Sequence, residues 1–488
     1  MRHLSWLAAG AALLLVSNGR WMVAAAVWLA LPCWLVYVDR SPRWRGLGMA
    51  FLVWTTVFLV AWQGLVPAPG WIYVAIVVAY ALAYFLAIVA HRLVASRLTG
   101  VAATLVFPLA WVSVEFAFQR WVTPYGSWLS VAYSQTDLAL LQATSVGGAA
   151  AVSFLITWFA GSAALALRGD RRWRPMLPCV AAVATVLVWG QFRLARAPHD
   201  VEGIRTASLV PSPALAAELD GTMAGVSLHE RPVGDVLADV GSQAAALNED
   251  LLRRTEREAR AGARVVAWSE TAGRVFPEGE AELLRRASAI AAAERAALVL
   301  AYGVWTPGGS PPLRNAVTAI RPDGTVAWTY EKAHPIVGPE SPLMDPGSGR
   351  IESIDLPSGS LGAAICHDLD FPRLLRQAAR DETDLIVGPS ADWPIITDMH
   401  ARMARLRAIE FGFSLVRPTQ TGRTLAVDPW GRIHASVDHA TDVVVAHVPV
   451  GGVSTVYGAT GDWLGWAALG GLLSLLYRAR RGTSSTAD

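Results

Sequence analysis

The sequence predicts two architectures in one chain: a polytopic α-helical membrane domain of about eight transmembrane helices, and a layered α/β domain. Three observations carry this reading. The 488 residues are 53% hydrophobic and 16% charged, with 21 Trp, which is too apolar for a purely soluble chain. Apolar segments of spanning or near-spanning length succeed one another up to residue 195 and return once before the C-terminus. From 204 to 450 the texture changes to short β-type runs alternating with helical patterns.

The apolar segments fall near 4–17, 21–38, 46–62, 71–90, 100–118, 143–167 and 175–193, with a last one at 461–478. The first is short for a span, but it lacks a cleavage site and leads directly into another apolar run, so it reads as a helix rather than a signal peptide. Loops 39–45, 91–97 and 168–174 and the tail 478–481 are rich in arginine, whereas 17–20, 63–70 and 119–140 hold at most one each. By the positive-inside rule both termini are then cytoplasmic and 194–460 lies outside. The expected organisation is a seven-helix transmembrane domain at 1–195, an extracytoplasmic domain at 204–450, a C-terminal transmembrane helix at 461–478 and a disordered tail at 482–488. Glu115 lies near the end of the fifth span, where a carboxylate is usually functional or paired, although a snorkelling side chain explains it equally well. The aromatic, polar loop 119–137 is expected at the lipid–water interface.

In the outer domain, strand-like runs occupy 204–210, 263–270, 296–305, 314–332, 361–368, 384–390, 414–422 and 424–437. "RPDG" (321–324) and "DPWG" (428–431) are hairpin signals, and helices are expected at 243–261, 279–295 and 399–412. The net charge of +2 and the lack of a basic block interleaved with aromatics speak against a nucleic-acid partner. Three cysteines, two of them inside apolar segments, make neither a disulfide framework nor a paired metal motif. Neither metal nor diffusible cofactor is implied.

Lys332 is the only lysine in a chain that otherwise uses arginine for every basic residue. It closes the run "VAWTYEK"; Glu270 closes "VVAWSE" and Cys366 closes "GAAIC". Strand ends are where side chains distant in sequence converge. A cysteine nucleophile needs a proton acceptor, which a desolvated carboxylate supplies, and attack on a carbonyl creates an oxyanion that an ammonium stabilises. Arginine is a poor substitute for that lysine, being bulkier, planar and effectively always protonated. Glu, Lys and Cys together make a complete acyl-transfer set.

The order Glu270, Lys332, Cys366 in these contexts resembles the nitrilase, or carbon–nitrogen hydrolase, superfamily. That resemblance implies an α-β-β-α sandwich. "WVSVEFAFQRW", "MARLRAIEFGFSLVRPTQTG" and "YGATGDWLGW" extend the likeness over nearly the whole chain to the apolipoprotein N-acyltransferase family. The resemblance implies Glu270 as general base, Cys366 as nucleophile and Lys332 as oxyanion stabiliser, with Glu340 as a second glutamate beside them. The implied reaction moves a fatty acyl group from a phospholipid, through a Cys366 thioester, to the N-terminal amine of a diacylglyceryl-cysteine apolipoprotein. The implied setting is the bacterial inner membrane, with membrane lipids as neighbours. The chain departs from the family at "WSET" (268–271), at His367 and Asp368 after the cysteine, and at Ser390–Pro394, which includes Trp393. His367, Asp368 and Trp393 are therefore candidate supporting or substrate-binding residues. A Cys366–His367 pair is disfavoured, because neighbours on a strand face opposite ways. Two other readings stay open: a membrane-tethered amidase or divergent acyltransferase with another acceptor, and a non-catalytic lipoprotein-binding protein.

Overall fold

The computed structural model describes residues 2–128, 130–168, 174–198, 203–223 and 233–484. The chain forms two compact units, Met1–Ala197 with Thr460–Asp488, and Pro198–Ala459.

The first unit is helical. Five of its helices are long and apolar enough to cross a membrane: Arg43–Ala61, Gly70–Arg97, Gly100–Trp121, Ala149–Ala166 and Arg174–Ala195. The expected number was about eight. The other three positions hold helices Arg2–Leu15, Ala24–Arg40 and Trp463–Ser484. The first two have 14 and 17 residues, and the third carries the arginines of its last turns. The span expected at 143–167 begins later, at Ala149, because Gly148 (φ 66°) ends the short helix Thr144–Gly147. Most of the arginine-rich loop 168–174 and the end of the expected tail, 485–488, lie outside the described residues.

Aromatic packing holds this unit together. Trp54 contacts Trp34, Phe58, Phe85 and Trp111 with ring centroids 5.0–6.3 Å apart. Glu115 does not snorkel: it is 3% exposed and faces the hydroxyls of Tyr84, Ser130 and Ser153. The loop expected at the interface is buried within the protein over much of its length. Gln135 accepts from Trp28 Nε1 and donates to Ala24 O, each at 3.0 Å, and Ser130 meets Ser153 at 3.1 Å. Buried polar groups need such internal partners.

The second unit is a four-layer α-β-β-α sandwich. One sheet has the order Val443–Val448, Ile204–Leu209, Val265–Trp268, Ala297–Trp305, Leu313–Ile320, Val326–Glu331, with Gly273–Val275 added beside Ala297–Trp305. The other runs Ile433–Asp438, Arg423–Val427, Ser414–Arg417, Leu385–Val387, Gly359–Ala363, Ser353–Leu356. Residues of both sheets share one apolar cluster, including Val265, Leu298, Leu361, Leu385 and Val416. Ala297–Trp305 is buried along its whole length because a helix covers the face turned away from the partner sheet. Helices Val233–Arg260 and Pro277–Glu294 form one outer layer, and Pro372–Arg380 with Thr397–Phe411 the other. Both hairpin signals become hairpins, with Gly324 (φ 85°) and Gly431 (φ 80°) supplying the left-handed turn residue.

The helical content exceeds expectation. The helix expected at 243–261 starts ten residues earlier, at Val233, and Pro213–Met223 forms a further one.

Candidate active site

Three chain segments deliver the residues singled out from the sequence. Strand Val265–Trp268 ends two residues before Glu270; its Trp268 is fully buried and donates to Thr255 Oγ1 at 2.8 Å. Strand Val326–Glu331 ends immediately before Lys332, whose backbone N–H donates to Asn315 O at 3.0 Å. Cys366 is not a strand residue. The run expected at 361–368 leaves the sheet after Ala363, and Cys366–Asp370 form a 3-10 turn. The cause is local: Asp368 N–H donates to Ile365 O at 2.9 Å while its carboxylate accepts from Ile365 N at 3.3 Å, a competitor to the strand ladder. The opposite-face argument about His367 therefore does not apply.

Backbone strain gathers here. Of six non-glycine residues with positive φ among the described residues, Cys366 (48°) and Thr271 (48°) adjoin or belong to this site. A third, Thr421 (58°), donates its hydroxyl to Asp392 O. Each costs roughly 1–3 kcal/mol, a cost that persists only where surrounding structure enforces it.

Lys332 is 1% exposed. Its Nζ donates to Glu270 Oε1 at 2.8 Å and to Glu340 Oε1 at 2.7 Å. Glu270 Oε1 also accepts from Asn315 Nδ2 at 2.8 Å, and Glu340 Oε2 accepts from Ile336 N at 2.8 Å, which folds the loop after Lys332 back onto it. Burial opposes the ammonium, but Glu270, Cys366 and Glu340 outweigh it and hold its pKa well above the usual lysine value. Burial pushes the Cys366 thiol well up, with Glu270 adding to the shift and Lys332 opposing it. The resting site thus holds a neutral thiol beside an ion pair. Cys366 Sγ lies 4.0 Å from Ala391 O, and its N–H donates to Pro389 O at 2.7 Å.

Asp368 is completely buried and clamps two segments together. Its carboxylate accepts from Tyr330 Oη at 2.7 Å, from Ala333 and His334 backbone N–H at 3.2 and 2.8 Å, and from His334 Nδ1 at 2.9 Å. His367 Nδ1 donates to His334 O at 3.0 Å, and burial lowers its pKa. Trp393 is half-buried and follows Asp392 directly.

A second ionic group at Cys366 escaped the sequence reading. His400 Nδ1 lies 2.7 Å from Asp392 Oδ1, and His400 Nε2 lies 3.2 Å from Asp370 Oδ2. Arg417 Nη2 donates to Asp392 Oδ1 at 2.7 Å and comes within 2.8 Å of His400 Nδ1. All four residues are at most 2% exposed. Cys366, Asp392 and His400 place potential ligand atoms within 4.8 Å of one another. The Arg417 guanidinium lies against both Asp392 and His400, so a positive charge already stands beside this group. One signal was available: His400, Arg407 and Glu410 are buried on a helix at spacings of seven and three, where apolar residues are expected. Asn315 left no such trace.

Residues 243–457 match the carbon–nitrogen hydrolase family, which makes the second unit a nitrilase-like α/β domain. Residues 9–162 match the apolipoprotein N-acyltransferase N-terminal domain. Apolipoprotein N-acyltransferase of Rhodopseudomonas palustris is 26% identical over 396 residues, 72% of this chain and 69% of that protein. That of Geobacter metallireducens is 24% identical over 92% of this chain and 90% of its own length. Human deaminated glutathione amidase is 29% identical over 153 residues, 28% of this chain and 47% of its own. The chain belongs to the apolipoprotein N-acyltransferase family of the nitrilase superfamily, and it is an acyltransferase.

Proposed function

We propose that this enzyme N-acylates lipoproteins, taking a fatty acyl group from a phospholipid and passing it through a Cys366 thioester to the N-terminal amine of a diacylglyceryl-cysteine apolipoprotein. The observation that carries the proposal is the buried Lys332 ammonium bonded to both Glu270 and Glu340, with Cys366 close enough to perturb it.

Glu270 takes the Sγ proton as sulfur attacks the ester carbonyl. Lys332 faces the oxyanion, whose charge a desolvated ammonium stabilises more than water does. The ester C–O bond breaks, Glu270 returns the proton to the departing alkoxide, and lysophospholipid leaves. The amine then attacks the thioester, Glu270 accepts its proton, the C–S bond breaks, and the thiolate is reprotonated. Glu340 holds Lys332 against Glu270 throughout. The supporting roles of His367, Asp368 and Trp393 belong to this proposal as well, Asp368 acting as a clamp rather than by touching substrate. Eight spans, cytoplasmic termini and an extracytoplasmic catalytic domain complete it, on the strength of the arginine-rich loops.

The test is to incubate the detergent-purified protein with phosphatidylethanolamine and weigh the Cys366 peptide. A fatty-acyl increment, cleared by a diacylglyceryl-cysteine peptide, supports the transferase. An increment cleared by water alone marks hydrolysis of the phospholipid ester instead of transfer, whereas the amidase reading, which the local likeness to deaminated glutathione amidase keeps in view, needs an amide donor. An unmodified, reactive cysteine refutes the phospholipid donor.

A further inference from the structure

The Asp370–His400–Asp392–Arg417 group takes no direct part in the steps above, yet it is built around the nucleophile. Asp370 is the last residue of the turn that begins with Cys366. Asp392 follows Ala391, whose carbonyl is the atom 4.0 Å from Sγ. His400 reaches from helix Thr397–Phe411 to set Nδ1 against Asp392 at 2.7 Å and Nε2 against Asp370 at 3.2 Å. Its helix is held in place from behind: Gly412 (φ 75°) ends it, Val453 N–H donates to Gly412 O at 2.7 Å, and a side chain at 412 would collide with Val453 O.

We infer that His400 is a positioning residue for the proposed nucleophile: as an imidazolium it pins the two segments around Sγ and cancels the carboxylate charge that would otherwise oppose a negative sulfur. This rests on the reading of Cys366 as nucleophile. The geometry favours a doubly protonated ring, since a carboxylate oxygen lies within 3.2 Å of each nitrogen and only the cation carries two N–H groups, whereas Arg417 Nη2, 2.8 Å from Nδ1, favours the neutral one. Burial and the nearby Arg417 work against that cation, but Asp370 and Asp392 outweigh them and raise the His400 pKa to about 9. Asp392 is likewise held down, to about 2, by Arg417 and His400 against its own burial.

The charged and titratable groups facing His400 are Asp370, Asp392 and Arg417, with Cys366 beside Asp392 and His367 Nε2 4.0 Å from Asp370. With His400 protonated, two carboxylates meet two cations and the group is neutral. With a neutral residue at 400, one negative charge is left uncompensated next to the thiol, and Asp392 is already among the groups that raise the Cys366 pKa.

The experiment follows alkylation of the Cys366 peptide by iodoacetamide against pH in the full-length protein, read by mass spectrometry so that Cys33 and Cys179 do not interfere. His400→Gln should move the alkylation profile up by about one pH unit, the usual effect of one uncompensated charge at close range. The double variant His400→Gln/Asp370→Asn restores neutrality and should return the profile to that of the wild type. Asp370→Asn alone should leave it in place or move it down. A double variant as shifted as His400→Gln, or worse, overturns the inference in favour of simple packing loss. So does an unmoved profile in His400→Gln. Should His400→Gln not fold, the double variant decides alone: a folded protein with the wild-type profile supports the inference, and an unfolded one overturns it. Wild-type Cys366 that resists alkylation at every pH instead refutes the nucleophile assignment itself.

Discussion

Two ionic clusters meet at Cys366, and they are organised oppositely. Around Lys332 one cation is shared by two carboxylates, Glu270 and Glu340, and Glu340 retains 22% side-chain exposure. Around His400 two cations and two carboxylates alternate, and every member is sealed from solvent. The first cluster carries net negative charge that proton transfer can change; the second is balanced and has no opening through which to act. A buried ion pair contributes little net stability when desolvation is counted, but breaking one is expensive because a charge is left unpaired. The unbalanced cluster therefore suits proton movement, and the balanced one suits holding the backbone still.

The largest effect expected from this contrast falls on the first cluster. Lys332→Arg keeps the charge but not its compact shape, and acyl transfer from labelled phosphatidylethanolamine should fall by about 10³-fold or more. A variant with near-normal activity would show that charge alone is required there.

Next in size is a pH effect from the second cluster. The His400 pKa is raised in the folded state from 6.5 to about 9. Its contribution is therefore fully present below pH 6.5 and is lost as pH rises through about 9, amounting to roughly 3 kcal/mol. Unfolding midpoints measured from pH 6 to 10 should fall across this window in the wild type and fall less in His400→Gln. Parallel profiles for the two proteins would remove the charged histidine from the balance.

Asn315→Ala should sharpen the comparison from the side of Glu270. It removes a donor to Glu270 Oε1 without touching Lys332. Turnover should drop by about 10–100-fold, with KM for phospholipid nearly unchanged, because the base loses orientation rather than contact with substrate. A pure KM effect would contradict this.

The smallest change concerns the link between the Lys332 segment and the Cys366 turn. Tyr330→Phe deletes the 2.7 Å hydrogen bond to Asp368. Stability should fall by about 1–3 kcal/mol, the cost of a buried hydrogen bond to a charged group, with activity reduced less than in Asn315→Ala. Urea unfolding and the transfer assay on one preparation separate the two.

Much of the architecture was legible in the residues because it rests on local or periodic signals. Apolar length marked the long helices, alternation and turn residues marked the sheets, and Gly324 and Gly431 marked the hairpins. The short first two helices were harder to grade, since span-forming ability depends on length to within a turn. Lys332 stood out because the chain contains one lysine, and Glu340, eight residues later, meets the same ammonium.

What the residue order determined by itself was the pair of architectures and the family likeness, and it singled out the three residues proposed to react, because each is carried by composition, period or a short motif. Only the tertiary structure decided that Cys366 occupies a strained turn, that Asp368 clamps that turn to the Lys332 segment, that Glu115 turns inward, and that His400 joins Asp370 to Asp392. Those partners are separated by 3 to 38 positions, and no periodicity links them. They are chosen by the requirement that buried polar and charged groups be satisfied, which has force only once the sheets and helices have packed and excluded water.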